Sequence, residues 1–169
     1  NNNTNNKMRN KTVLVLGSNG ALGSCIVSHL KKSNPNCQVI GADVSLPSND
    51  DDDNNKSNDA FIPLSLAQIQ HLSNSSSSSC VDSMTTALVN GIRKEQEQHP
   101  EQRLFLDAII CASGGFAMDD DNDEEFNNNN NNVHEQMMQL NYYPVVAAAE
   151  TAKKCMAPQG LFVVMGAAA

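Results

Sequence analysis

The chain has 169 residues, which is long enough for one domain with a substantial hydrophobic core. Its formal net charge of −8 and its pI of about 4.8 argue against a nucleic-acid partner, because such binding needs a basic surface. No apolar stretch reaches the roughly 20 residues of a membrane-spanning helix, and no signal peptide is recognisable, so we expect no membrane partner. The five cysteines are scattered without a C-x-x-C pair, which predicts a reducing, cytoplasmic location.

Neither end of the chain has the character of a domain boundary. The first residue is Asn1, the first methionine is Met8, and Ala169 directly follows an apolar stretch, so we expect a fragment of a longer protein. Residues 1–11 are rich in asparagine and are predicted to be a disordered tail. Residues 12–169 are predicted to form one partial domain with polar low-complexity inserts at about 45–59, 73–79 and 118–132.

The first predicted strand, at 12–17, runs directly into three glycines spaced three apart in the sequence VLVLGSNGALG. A helix predicted at 20–32 then directs its free backbone N–H groups towards the strand end, which is the arrangement that binds a pyrophosphate. In this interpretation Gly17 allows the tight turn, Gly20 lets the backbone approach the anion, and Gly23 lets helix and strand pack closely. Because glycine turns after strands are common, an ordinary turn stays open as the alternative. The predicted phosphate-binding residues are Gly17, Ser18, Asn19, Gly20, Ala21, Leu22 and Gly23.

The second predicted strand, at 38–43, ends in Asp43, which lies 20 residues after Gly23. A carboxylate at this place accepts hydrogen bonds from the adenosine ribose of a dinucleotide and repels a 2′-phosphate. The sequence therefore predicts a dinucleotide site that favours NADH over NADPH. The alternative is that Asp43 is only a turn or helix-capping residue.

The remaining predicted elements continue the alternation of strands and helices. They are a short strand at 61–64 whose proline suggests a sheet edge, a helix at 81–98, a strand at 104–111, a helix at 133–156, a turn at 158–160 and a strand at 161–165. This alternation predicts an α/β, Rossmann-like, doubly wound parallel sheet with the strand order 3-2-1-4-5. The four histidines share no metal-ligand spacing with each other or with a cysteine, so no metal site is predicted.

Five stretches together resemble dihydropteridine reductase, an atypical member of the short-chain dehydrogenases/reductases. They are VLVLGSNGALGSCIV, the strand end GADV, LDAIICASGGFA, the helix that follows and GLFVVMGAAA. The resemblance spans 12–169 apart from the inserts. It implies NADH-dependent reduction of a quinonoid dihydropterin to the tetrahydropterin.

The resemblance also implies roles for particular residues. The glycine turn would hold the nucleotide and Asp43 its ribose, while a loop would line the cofactor and pterin cleft. That loop is Ala112, Ser113, Gly114, Gly115 and Phe116. Asn141 falls where the wider superfamily carries an asparagine that organises a proton-relay water, although a solvent-facing polar residue is an equal alternative. A homodimer is implied for the full-length protein.

The catalytic acid of the superfamily, a tyrosine with a lysine four residues later, does not occur in this sequence. The resemblance places it beyond Ala169, so no catalytic residue is assigned and this chain alone is expected to bind without turning over. Two alternatives remain open. One is another short-chain or extended dehydrogenase/reductase or an epimerase, although Leu16-Gly17 stands where epimerases usually have Thr-Gly. The other is a non-catalytic dinucleotide-binding sensor.

Overall fold

The computed structural model describes residues 11–46, 58–64, 77–98, 105–115, 134–135 and 137–166. Strands and helices alternate along these residues, and a π-helical turn (Met138–Tyr142) leads into the last helix. The elements are β1 (Thr12–Leu16), α1 (Ala21–Ser33), β2 (Gln38–Asp43), β3 (Ala60–Pro63), α2 (Ser77–Gln98), β4 (Leu106–Cys111), α3 (Tyr143–Cys155) and β5 (Met156–Val164). No helix in the described ranges is long and apolar enough to cross a bilayer.

The five strands form one parallel sheet in the order β3-β2-β1-β4-β5, which confirms the predicted Rossmann-like doubly wound fold. β3 lies at an edge, as its proline predicted. The strand order reverses between β1 and β4, and ligands of open α/β sheets bind beside such a switch point. Leu16, Asp43 and Cys111 end β1, β2 and β4, so these three strand ends meet at one side of the sheet, which we call the carboxyl edge.

Each face of the sheet packs against its own helices. Because side chains alternate along a strand, Val13 and Val15 of β1 face α1 while Leu14 and Leu16 face α2 and α3. β1 is buried along its whole length, as expected for a central parallel strand. On α1, Val27 is fully buried whereas Leu22, in the first turn of the helix, is 47 % exposed.

Two helices differ from their predicted bounds by more than one residue. α2 begins at Ser77, four residues earlier than predicted. In the helix predicted at 133–156 the described residues 134–135 and 137–155 are helical, but a π-helical turn precedes α3 and the helix ends at Cys155. α3 has Pro144 in its first turn, directly after the π-helical turn.

β5 begins at Met156, five residues before the predicted start. Its pairing with β4 is irregular, because the step from Leu106 to Ala108 on β4 matches the step from Met156 to Leu161 on β5. Gln159 has a φ of 66° inside this step. The sequence Pro158-Gln159-Gly160 does make the chain turn, but as a bulge within β5 and not as a connection before it.

Candidate functional site

Gly17 occupies a backbone conformation that only glycine adopts without strain. Its φ is +77°, and its N–H donates to the carbonyl oxygen of Ala42 at 2.8 Å, which joins the turn after β1 to the end of β2. A Cβ atom on Gly17 would lie 2.8 Å from the backbone nitrogen of Ser113. The turn after β1 and the loop after β4 are therefore in direct backbone contact at the switch point.

The start of α1 is open, and no side chain caps it. The first helical hydrogen bond runs from the Ser24 N–H to the Gly20 carbonyl oxygen at 2.9 Å. The N–H groups of the three residues before Ser24 point out of the helix end without an intrahelical acceptor. The nearest atom to a Cβ on Gly20 would be 3.4 Å away, whereas a Cβ on Gly23 would overlap the Gly17 carbonyl group. An anion can therefore approach Gly20, while Gly23 is needed for packing.

Asp43 ends β2 at the same edge, and it is 8 % exposed. Its Oδ2 accepts the Asn19 backbone N–H at 2.9 Å, and its Oδ1 accepts the backbone N–H and the hydroxyl of Ser45 at 3.1 and 3.0 Å. The bond to the Ser45 N–H is a turn of the kind that aspartate often forms with the residue two positions later. Asp43 is therefore a turn residue, as the alternative interpretation proposed. Its contact with a ribose stays a prediction.

The loop after β4 is held from two sides. The Ala112 N–H donates to the Leu16 carbonyl oxygen at 2.9 Å, which continues the pairing with β1. Farther along, the Gly115 N–H donates to Asn141 Oδ1 at 3.2 Å and the Gly115 carbonyl oxygen accepts from Asn141 Nδ2 at 2.9 Å. Phe116, which the resemblance placed over the cleft, lies outside the described residues.

Asn141 lies in the π-helical turn, and its side-chain amide is fully engaged with backbone groups. Besides the two bonds to Gly115, Nδ2 donates to the Met137 carbonyl oxygen at 3.0 Å. π-helical turns often occur at functional sites. The side chain of Asn141 thus positions the Gly114–Gly115 segment, although it is exposed to solvent. Its part in a proton relay stays a prediction.

Tyr143 and Cys111 are buried beside this site and are poor acids. The Tyr143 hydroxyl donates to Glu135 Oε1 at 3.3 Å, and burial, together with the Glu135 charge, raises the pKa of Tyr143. Burial also raises the pKa of the Cys111 thiol, more than hydrogen bonds from Ser113 lower it. Within the described ranges, no three His, Cys, Asp or Glu side chains are grouped closely enough to hold a metal ion.

The structure brings most of the predicted site residues together at the carboxyl edge. The glycine turn contacts the loop after β4 through Gly17 and contacts Asp43 through Asn19. Sequence reasoning missed Ser45, although an aspartate followed two residues later by a serine is a recognisable turn signal. It also missed the hydrogen bond from the Asn19 backbone N–H to Asp43, because no pattern of side chains in the sequence indicates a backbone donor.

Comparison with solved structures finds similar folds in short-chain dehydrogenases/reductases. The chain aligns with such an enzyme from Serratia marcescens, a double mutant, with a TM-score of 0.61 and 16% identity over 94% of this chain and 56% of that one. A short-chain dehydrogenase/reductase from Saccharomyces cerevisiae gives a TM-score of 0.59 and 15% identity over 91% of this chain and 52% of that one. An aldohexose dehydrogenase from Thermoplasma acidophilum gives a TM-score of 0.57 and 13% identity over 94% of this chain and 49% of that one.

The chain thus has the fold of the short-chain dehydrogenases/reductases and spans about half the length of the structures it matches. A scan of protein-family models finds no match, and a search of curated protein sequences finds no similar chain. Sequence identities as low as these support a shared fold, but they do not establish a shared activity.

Proposed function

We propose that this chain is the nucleotide-binding part of an NADH-dependent oxidoreductase. The observation that carries the proposal is the meeting of an uncapped helix start, an open glycine and a nearly buried carboxylate at the switch point of a parallel sheet. Asn19 joins these parts, because its backbone donates to Asp43 from within the glycine turn. The folds found by comparison belong mainly to dehydrogenases and reductases, which supports the same chemistry.

The residues fit a nicotinamide dinucleotide in three places. The free N–H groups at the start of α1, with the open face of Gly20, suit the pyrophosphate. Asp43 can accept a hydrogen bond from a ribose hydroxyl, and its negative charge disfavours a 2′-phosphate. The loop from Ala112 to Gly115 lies next to the glycine turn and would line the nicotinamide end of the site. The bound dinucleotide would supply a hydride.

For the substrate we propose a quinonoid dihydropterin, which the reaction reduces to a tetrahydropterin. The support is the resemblance described above, together with a loop of small residues whose backbone a flat ring can approach. Asn141 holds this loop in place through Gly115. We propose that the proton donor is a tyrosine paired with a lysine in the remainder of the protein, and that the full-length protein is a homodimer.

The location we propose is the cytoplasm. All five cysteines are unpaired in the structure, and three of them are buried. Buried free thiols are typical of proteins from a reducing compartment.

The proposal is tested by calorimetric titration of the chain with NADH and with NADPH, using the wild type, Asp43→Ala and Asp82→Ala. Asp82 is an exposed aspartate on α2, on the other face of the sheet, and removing it is a matched control for charge. We expect the wild type and Asp82→Ala to prefer NADH and Asp43→Ala to lose the preference. A folded wild type that binds neither dinucleotide would contradict the proposal.

The substrate is tested separately, by following NADH oxidation in the full-length protein with quinonoid dihydropterin. Turnover supports the reductase. Binding of NADH without turnover of this or any other carbonyl or imine substrate favours the dinucleotide-binding sensor.

A further inference from the structure

Asp43, Ser45 and Asn19 are joined in a closed ring of hydrogen bonds. Ser45 donates twice to Asp43 Oδ1, and the Asn19 backbone donates to Asp43 Oδ2. The ring is completed by the Asn19 side-chain amide, which donates to the Ser45 carbonyl oxygen. We call these three residues the carboxylate ring. It connects the end of β2 with the middle of the glycine turn.

The carboxylate ring leaves Asp43 little freedom. A carboxylate offers about four acceptor positions, two on each oxygen. Three of these positions are occupied, both on Oδ1 and one on Oδ2. A ribose hydroxyl can therefore reach one remaining position, on Oδ2. The side chain cannot rotate without breaking bonds to two different segments of the chain.

We propose that Ser45 and Asn19 are positioning residues that determine cofactor specificity by locking the Asp43 carboxylate in place. This inference rests on the proposed function, because it concerns how the same site distinguishes a 2′-hydroxyl from a 2′-phosphate. An unrestrained carboxylate beside a phosphate turns towards solvent, where water screens the repulsion. A locked carboxylate keeps its charge at the ribose, so that the full repulsion persists.

The carboxylate ring also sets the distance between two parts of the site. The Asn19 N–H belongs to the turn that precedes the pyrophosphate-binding end of α1, and Asp43 belongs to the ribose-binding strand end. The hydrogen bond between Asn19 and Asp43 keeps the pyrophosphate-binding and ribose-binding parts of the site at the spacing that a single dinucleotide needs. NADH itself gains from this arrangement, because no binding energy is used to order the turn.

The test is the ratio of NADH to NADPH affinity, measured by calorimetry on the chain and on four variants. Ser45→Ala removes one bond to Oδ1, and Asn19→Ala removes the bond that closes the ring. Ser45→Thr keeps the hydroxyl. Ser33→Ala makes the same chemical change as Ser45→Ala at the other end of α1, where the hydroxyl lies 3.3 Å from His29 Nε2.

We expect Ser45→Ala and Asn19→Ala each to lower the ratio by about threefold to tenfold, the net effect of one ordinary hydrogen bond. Ser45→Thr and Ser33→Ala should keep the wild-type ratio. A merely structural role would lower the melting temperature and both affinities together, and would leave the ratio unchanged.

The outcomes separate this inference from the proposed function. If the folded wild type binds neither dinucleotide or prefers NADPH, the proposed function fails and this inference fails with it. If the wild type prefers NADH and Ser45→Ala has the same ratio, the inference alone is overturned.

Discussion

At the scale of single residues, the three glycines of the turn have different physical reasons to be glycine. Gly23 is needed for packing, since a Cβ there would overlap the Gly17 carbonyl group. We expect Gly23→Ala to lower the free energy of unfolding by about 1–3 kcal/mol, the usual cost of overpacking. Urea denaturation followed by circular dichroism measures this change.

Gly20→Ala is the matched control, because a Cβ there meets no atom closer than 3.4 Å. It should cost less than about 1 kcal/mol of stability, the effect of alanine at a helix start. Its NADH affinity should fall, since the methyl group occupies the approach of the anion. Equal destabilisation by both substitutions would contradict the different roles assigned to these glycines.

The five cysteines should differ in reactivity. Cys25 is exposed on α1, whereas Cys37, Cys80 and Cys111 are buried and burial raises the pKa of each of these three thiols. We expect one thiol to react rapidly with an aromatic disulfide reagent in the folded chain. Cys25→Ser should abolish this fast phase, and a fast phase that persists in Cys25→Ser would refute the prediction.

The raised pKa of Tyr143 predicts how the free energy of unfolding changes at high pH. Its pKa is raised in the folded chain, first by burial and then by Glu135, so the folded state holds the phenolic proton more tightly than the unfolded state does. The resulting stability is complete below the pKa of an unfolded tyrosine, about 10, and is lost as the pH rises through the folded value. The buried thiols, whose pKa values are also raised, contribute a similar loss of stability as the pH rises above about 8.5.

Tyr143→Phe should therefore reduce the loss of stability above about pH 10, measured by urea denaturation at a series of pH values. Tyr142→Phe removes a hydroxyl from the exposed neighbouring ring and is the control. An identical alkaline slope in the wild type and in Tyr143→Phe would show that Tyr143 does not contribute.

The roles of single residues were predicted correctly from the sequence where they depend on a side chain or on the lack of one. Gly17 and Gly23 were predicted because only glycine fits a left-handed turn or a close helix contact. The carboxylate ring was not predicted, because two of its four donors are the backbone N–H groups of Asn19 and Ser45, which any residue type provides. The two side-chain donors meet their acceptors only because the fold brings the glycine turn next to the end of β2.

At the scale of elements, the π-helical turn holds the loop after β4 through Asn141. Asn141→Asp retains an acceptor for the Gly115 N–H but loses the donors to Gly115 and Met137. We expect a loss of about 0.5–1.5 kcal/mol for each lost donor bond, reduced by the exposure of the site. Hydrogen exchange at the Gly115 amide should accelerate in Asn141→Ala and stay closer to wild type in Asn141→Asp.

The control for this pair is Gln139→Ala, which removes an exposed side-chain bond to Glu135 from the same π-helical turn. It should leave exchange at Gly115 unchanged. Equal protection of Gly115 in Asn141→Ala and in the wild type would mean that other contacts hold the loop.

The start of β5 and the helix before it illustrate what local sequence predicts poorly. Alternation and apolar runs placed the strand centres correctly, since these depend on burial between helices. The start of β5 was missed because Pro158-Gln159-Gly160 is typical of a turn, and only the partner β4 decides that the chain pairs on both sides of it. The π-helical turn was missed because no side-chain spacing distinguishes it from an α-helix.

At the scale of the whole molecule, the strand order was predictable from general rules alone. Parallel strands joined by right-handed crossovers, with helices on both faces, leave few arrangements for five strands. The side chains of β1 then point alternately to the two faces, which assigns α1 to one face and α2 with α3 to the other. The activity was not predictable in this way, because it depends on a few contacts at one edge of a widely shared fold.

The carboxyl edge has one more consequence, which concerns ionic strength. In the sequence, the acidic runs 50–53 and 119–125 follow β2 and β4, and the formal net charge of the chain is −8, so the chain as a whole repels an anionic dinucleotide. Raising the salt from about 0.01 M to about 0.1 M shortens the screening length from about 30 Å to about 10 Å. NADH should therefore bind more tightly at the higher salt, the reverse of what is usual for a phosphate ligand. Replacing 119–125 by the matching amides should remove much of this dependence, and an affinity that falls with added salt would show that the local N–H donors dominate.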